Sequence, residues 1–217
     1  MKVIFLDIDG VMNNETDFFE LKKFGHPINS GGKVLNRGCL ALLQHIIENT
    51  SAKIVLSSTW RLYFTLDEMH ALFTQHDFSL PRDVFHDVTP SLIRGFSDSS
   101  YRHRGGEIRE YLKEHPEVET FVVLDDKDHP ISIELGRYED DSLSWDERTP
   151  YEPFIKADLN KFHEDDVEAN FIHTNYLTGL NKIEMFRAIK ILGLNEHAIE
   201  EQRKLDEAYD LMAKVRI

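Results

Sequence analysis

The sequence predicts an α/β fold built on a doubly wound parallel sheet, and three observations predict it. Two apolar runs, Val3 to Leu6 and Phe121 to Leu124, are continuous rather than alternating, as strands covered on both faces must be. Each ends in acids, Asp7 and Asp9 after the first and Asp125 and Asp126 after the second. Between and after them lie stretches with apolar residues at helical spacing, so strands and helices alternate.

In chain order, the first strand ends at Asp7-Ile8-Asp9-Gly10, and Gly10 marks a sharp break where backbone comes close to a ligand. Residues 14–33 read as a loop over that strand's carboxyl end, with a short helical turn around 18–22. Leu40, Leu43, Ile46 and Ile47 place a helix over 36–50. A second buried strand, Lys53 to Ser58, ends in hydroxyls, and a helix follows over 66–76. A short strand falls near 84–88, a loop over 89–102, and a helix over 107–115 with Ile108, Tyr111 and Leu112 inward.

The acid-ended strand at 120–126 comes next. Residues 127–170 are acidic and irregular, too long for an idle loop, and read as a lid or insertion in one domain spanning 1–217. Phe171 to His173 forms a last strand. Asn181 caps a helix carrying Ile183, Phe186, Ile189 and Leu192, Gly193 ends it, and a charged helix over 196–215 closes the chain.

Composition narrows the class. Hydrophobic residues are 41 % and charged residues 29 %, the balance of a globular domain, and the net charge of −14 disfavours tight binding to duplex nucleic acid or an anionic membrane. Cys39 is the single cysteine, so no internal disulfide forms. With no signal-peptide core and no membrane-length apolar run, a cytoplasmic protein is expected. Cys39 and Trp60 read as core residues, Lys113 as a solvated helix residue, and His103 and His129 as loop residues beside the site.

In an open parallel sheet ligands bind beyond the carboxyl ends of the strands. Those ends carry Asp7 and Asp9, Ser57 and Ser58, and Asp125 and Asp126. Asp7 and Asp9 point the same way in extended chain, repel each other, and call for a cation between them; an all-oxygen set suits Mg²⁺. Such acids can hold the metal, attack phosphorus and shuttle a proton, with serine hydroxyls and backbone N–H groups as donors and a fixed cation to complete the clamp.

These motifs resemble those of the haloacid dehalogenase (HAD) superfamily of phosphatases: Asp7-Ile8-Asp9-Gly10 first, the strand ending at Ser57-Ser58 second, and the strand ending at Asp125-Asp126 last. The resemblance implies a Rossmann-like HAD fold without a large cap domain and with extra C-terminal helices. It implies Asp7 as nucleophile and Asp9 as general acid/base. The metal set it implies is Asp7, Asp9, Asp125 and Asp126 with the carbonyl of Ile8. Either Ser57 or Ser58 serves as the hydroxyl. The family's usual lysine is missing, and Arg102 and Arg104 are the candidates to replace it, with Arg104 favoured by its place before Gly105-Gly106.

Asp-Gly-Val-Met-Asn, Ser-Ser-Thr-Trp-Arg and the later Thr178-Gly179-Leu180 look like the HAD domain of Swiss-army-knife RNA-repair proteins. That likeness adds Gly10, Thr59, Arg61 and Arg102 as substrate contacts, Arg61 as a planar fork for phosphate. The expected activity is Mg²⁺-dependent phosphoester hydrolysis through an aspartyl-phosphate. The expected partner is a phosphorylated substrate: a nucleic-acid end, a phosphoprotein, or a small molecule or nucleotide. The rival reading is a catalytically idle HAD-like binding domain, against which stands the presence of all four acids.

Overall fold

A computed structural model describes residues 1–14, 35–91, 104–126 and 170–215, with side chains as far as Ala208. Five parallel strands form one sheet: β1 (Lys2–Leu6), β2 (Lys53–Leu56), β3 (Phe85–Val88), β4 (Thr120–Asp125) and β5 (Phe171–His173), in the order β3-β2-β1-β4-β5. The central position falls to β1, whose Val3, Ile4, Phe5 and Leu6 are all fully buried. Burying each such side chain contributes roughly 1.5–3 kcal/mol, so the least polar strand takes the place with neighbours on both edges. Leu6 lies opposite Leu56 on one side and Leu124 on the other, which sets three strand ends at one level.

The helices are α1 (Arg37–Thr50), α2 (Leu66–Thr74), α3 (Arg104–Glu114), α4 (Lys182–Leu192) and α5 (Glu196–Val215), with 3-10 turns at Thr59–Leu62 and Arg82–Val84. Ile4, Leu6, Ile54, Leu56, Val122 and Leu124 face α1, α2 and α4 in one core. Val3, Phe5, Val55, Phe121 and Val123 meet Ile108, Tyr111 and Leu112 of α3 on the other side. The sheet is thus covered on both faces, as continuous apolar strands require.

Local chemistry sets the element ends. The Asn36 side chain accepts from Cys39 N, starting α1 one residue after the expected boundary. Asn181 and Glu184 form a reciprocal capping box on α4, and Gly193 follows that helix at φ +73°. The stripe through Ile183 and Phe186 is not the packed face of α4: these two are exposed, while Met185, Ala188 and Leu192 are buried. Apolar residues lie on two sides of this helix, so periodicity alone does not fix its rotation. Helix α3 begins three residues earlier than its apolar pattern suggests, at Arg104. Gly105 and Gly106, which precede the expected helix, are themselves helical, and Gly105 is buried.

The expected loop at 14–33, with its turn at 18–22, and the lid at 127–170 lie outside the described residues except for Asn14 and Asn170. No helix among the described residues is long and apolar enough to cross a membrane.

Candidate active site

Alternation along β1, β2 and β4 determines which polar residues meet. Odd-numbered positions of these strands face α3, so Asp7, Ser57 and Asp125 continue that row past the apolar part. The ladder extends with them: Asp7 N donates to the Leu124 carbonyl at 3.0 Å and Ser57 N to that of Leu6 at 2.9 Å. Asp7 is 3 % exposed and Asp125 fully buried.

Two buried carboxylates side by side need a counter-charge. Arg104, the first residue of α3, supplies it through a single nitrogen. Its Nη1 lies 2.8 Å from Oδ2 of Asp7 and 2.8 Å from Oδ2 of Asp125. Burial alone lowers the guanidinium pKa; the two carboxylates more than reverse this and carry it above its ordinary value.

Asp126 completes an acid cluster, with one oxygen each from Asp7, Asp125 and Asp126 all within 4.8 Å of one another. Three carboxylates crowd around one guanidinium, and a divalent cation among them would relieve their mutual repulsion. The donors are all hard oxygens, so the residues fit Mg²⁺. Asp9 is outside this cluster.

The turn after β1 is closed by its own polar groups. Gly10 has φ +74°, and a Cβ there would lie 2.5 Å from that of Asp126, so only glycine lets the turn pass beside the acids. Thr174 Oγ1, just after β5, donates to the Gly10 carbonyl at 3.0 Å. Gly179, at φ +69°, packs against the same turn, where a Cβ would meet Cys39 Sγ at 2.7 Å and the Val11 carbonyl at 2.8 Å. The Ile8 carbonyl, expected on the metal, accepts instead from Val11, Met12 and Asn13 N–H groups at 2.9–3.2 Å. These bonds take up its lone pairs, and the Ile8 side chain is fully buried in the core.

The carboxylate of Asp9, expected among the metal ligands, is held elsewhere. Oδ1 accepts from Asn13 Nδ2 at 2.8 Å and Oδ2 from Trp60 Nε1 at 3.0 Å. The two serines separate in role. Ser58 caps the 3-10 turn, its Oγ accepting from Trp60 N at 3.4 Å. Ser57 Oγ is buried beside Asp7 with no hydrogen-bond partner among the described residues. Thr59 is half-buried at the start of the same turn.

Arg61 is not presented as an exposed phosphate fork. Its Nη2 meets Glu107 Oε2 at 2.6 Å, Nη1 the Ser58 carbonyl at 2.7 Å, and Nε the Thr89 carbonyl at 3.1 Å. Arg102, His103 and His129 lie outside the described residues. Lys113 pairs with Glu110 on the exposed side of α3, and Cys39 is buried.

Of this surround Glu107 belongs to none of the motifs, while Asn13 and Trp60 lie inside motif stretches that do not signal their hydrogen bonds to Asp9. For Glu107 a usable sign existed, since a helix begun at 104 puts Arg104, Glu107, Ile108 and Tyr111 on one face. Nothing along the chain announces that the Trp60 indole reaches Asp9.

A parallel sheet that brings paired acids from its central strand and that strand's neighbour to one carboxyl edge has the Rossmann-like HAD architecture. A family model for the HAD domain in Swiss Army Knife RNA repair proteins matches residues 3–185, and the chain belongs to that family. No curated protein and no solved structure matches the chain.

Proposed function

We propose that the protein is a Mg²⁺-dependent phosphohydrolase that works through an aspartyl-phosphate on Asp7. The observation that carries this reading is the acid cluster of Asp7, Asp125 and Asp126 bridged by Arg104 at one sheet edge. An Asp7 oxygen attacks phosphorus, forming the P–O bond to the enzyme as the bond to the leaving oxygen breaks. Asp9 gives that oxygen its proton. Asp9 then takes a proton from water, whose oxygen bonds to phosphorus; the bond to Asp7 breaks and phosphate departs.

Arg104 fixes Oδ2 of Asp7, which leaves Oδ1 to attack. The buried Ser57 hydroxyl, which has no hydrogen-bond partner among the described residues, donates to a phosphoryl oxygen. A metal held by Asp7, Asp125 and Asp126 would neutralise the phosphoryl charge during transfer.

For substrate we infer a macromolecular phosphoester, a nucleic-acid end in the first instance. The family's association with RNA repair supports it. The net charge of −14 favours recognition of a terminal phosphate over gripping a duplex.

Hydrolysis of p-nitrophenyl phosphate by wild type and Asp7→Asn, with and without Mg²⁺, tests the reaction. Metal-dependent turnover that disappears in the variant is expected; equal turnover by the variant would exclude Asp7 as nucleophile. Oligonucleotide 3′-phosphates should then outrank phosphosugars, and the opposite ranking would remove the nucleic-acid reading.

A further inference from the structure

Trp60 stands apart from the core residues around it because its ring nitrogen has work outside the core. The indole is 8 % exposed and its ring lies against Phe64, with centroids 5.5 Å apart, as a core aromatic's would. Yet Nε1 reaches Oδ2 of Asp9 at 3.0 Å, across 51 residues of sequence. Asn13 Nδ2 holds Oδ1 of the same carboxylate at 2.8 Å, while Asn13 Oδ1 accepts from Gly10 N at 3.0 Å.

Each oxygen of Asp9 is therefore held by a neutral donor, one from its own turn and one from the turn after β2. A carboxylate held this way cannot rotate toward the three acids that form the cation-sized cluster. This accounts for two facts at once: Asp9 follows Asp7 by two residues, yet its oxygens are absent from the cluster.

The second donor is itself located by the chain. Ser58 Oγ accepts from Trp60 N at 3.4 Å, and Arg61 anchors the same turn through the Ser58 carbonyl. The turn that carries Trp60 is thus tied twice to Ser58, the residue before it.

We propose that Trp60 is a positioning residue: its indole N–H holds the Asp9 carboxyl where it can deliver a proton to the leaving oxygen, away from the metal-binding acids. The assignment rests on the phosphohydrolase reading above. A proton delivered to the leaving oxygen matters most when that oxygen is a poor leaving group. An alkoxide needs the proton; p-nitrophenolate departs well without it. Misplacing Asp9 should consequently penalise an alkyl phosphate more than an aryl one, and a merely structural defect should penalise both alike.

The test compares wild type, Trp60→Phe and Phe64→Leu with Mg²⁺ on p-nitrophenyl phosphate and on glycerol 2-phosphate. Trp60→Phe keeps an aromatic ring against Phe64 and removes the N–H. Its kcat should fall roughly tenfold on glycerol 2-phosphate and about twofold or less on p-nitrophenyl phosphate, with KM unchanged. Phe64→Leu loosens the same packing and leaves the N–H in place, so it should lower Tm without changing the ratio of the two rates. An equal loss on both substrates in Trp60→Phe, or the same ratio change in Phe64→Leu, would overturn the assignment while leaving the phosphohydrolase intact. Absence of turnover of both esters by the wild type would overturn the reaction and this assignment together.

Discussion

Arg61 and Glu107 form an ion pair of 2.6 Å with both side chains almost wholly withdrawn from solvent, at 4 % and 0 % exposure. The pair joins the turn after β2 to the first turn of α3, and Arg61 also ties down the carbonyls of Ser58 and Thr89. Three connections at the carboxyl edge of the sheet therefore meet on one guanidinium. Removing either charge strands the other in a medium that solvates it poorly. Glu107→Gln is expected to lower the unfolding free energy by about 3 kcal/mol or more, read from urea denaturation at unchanged m-value. A loss under about 1 kcal/mol, the scale of a solvated surface pair, would mean that water reaches the site.

Gly10 sets the distance between the first turn and the acids. An alanine there takes on a left-handed backbone and brings a methyl to 2.5 Å from the Asp126 side chain, so Asp126 must move. Gly10→Ala should cost about 1–2 kcal/mol of stability from the backbone alone. Because metal and phosphate must be positioned within ångströms, turnover should fall by about a hundredfold. Thermal unfolding and Mg²⁺ titration calorimetry separate the two effects. Unchanged Mg²⁺ binding in the variant would mean that Asp126 is not a ligand.

A divalent cation held by Asp7, Asp125 and Asp126 would stabilise the folded protein by relieving the repulsion among carboxylates whose oxygens lie within 4.8 Å of one another. A ligand bound only to the folded protein and present at a hundredfold over its Kd adds about 2.7 kcal/mol. For a chain of this size that corresponds to a rise in Tm of roughly 5–10 °C. Adding Mg²⁺ should produce a shift of that order, chelation should reverse it, and Asp125→Asn should abolish most of it. A shift of equal size in the variant would place the bound ion elsewhere on this acidic chain.

The strand ends could be read from the sequence because burial on both faces leaves unbroken apolar runs, and an acid at the end of such a run needs a reason. Lys2–Leu6 and Thr120–Asp125 carry both signs, and Lys53–Leu56 carries the apolar run with hydroxyls in place of acids at its end. What depends on tertiary pairing was not legible. Whether Arg61 meets a phosphate or Glu107, and whether Trp60 merely packs or also reaches Asp9, is decided by contacts 46 and 51 residues apart. The start of α3 was hidden because Gly105-Gly106 carry weak helix propensity, which tertiary packing overrides. Strand alternation likewise says nothing about a turn that folds three N–H groups back onto the Ile8 carbonyl.

Arg104 gives the most discriminating pair of substitutions. A guanidinium is usually valued for its planar fork, but here one nitrogen serves both Asp7 and Asp125, each at 2.8 Å. A single ammonium can occupy that point, so Arg104→Lys should keep the fold and hold turnover within about tenfold of wild type. Arg104→Met removes the charge at similar length and takes the bridging cation away from the buried Asp7 and Asp125. Without Mg²⁺ it should lose about 3–5 kcal/mol of stability. Added Mg²⁺ should restore part of that loss, since a divalent ion at the acids takes over some of the neutralisation. Stability and Mg²⁺ response should therefore move together in Arg104→Met and stay near wild type in Arg104→Lys. If Arg104→Lys proves as unstable as Arg104→Met, the fork geometry rather than the charge holds α3 to the acids, and the one-nitrogen bridge is not what the site depends on.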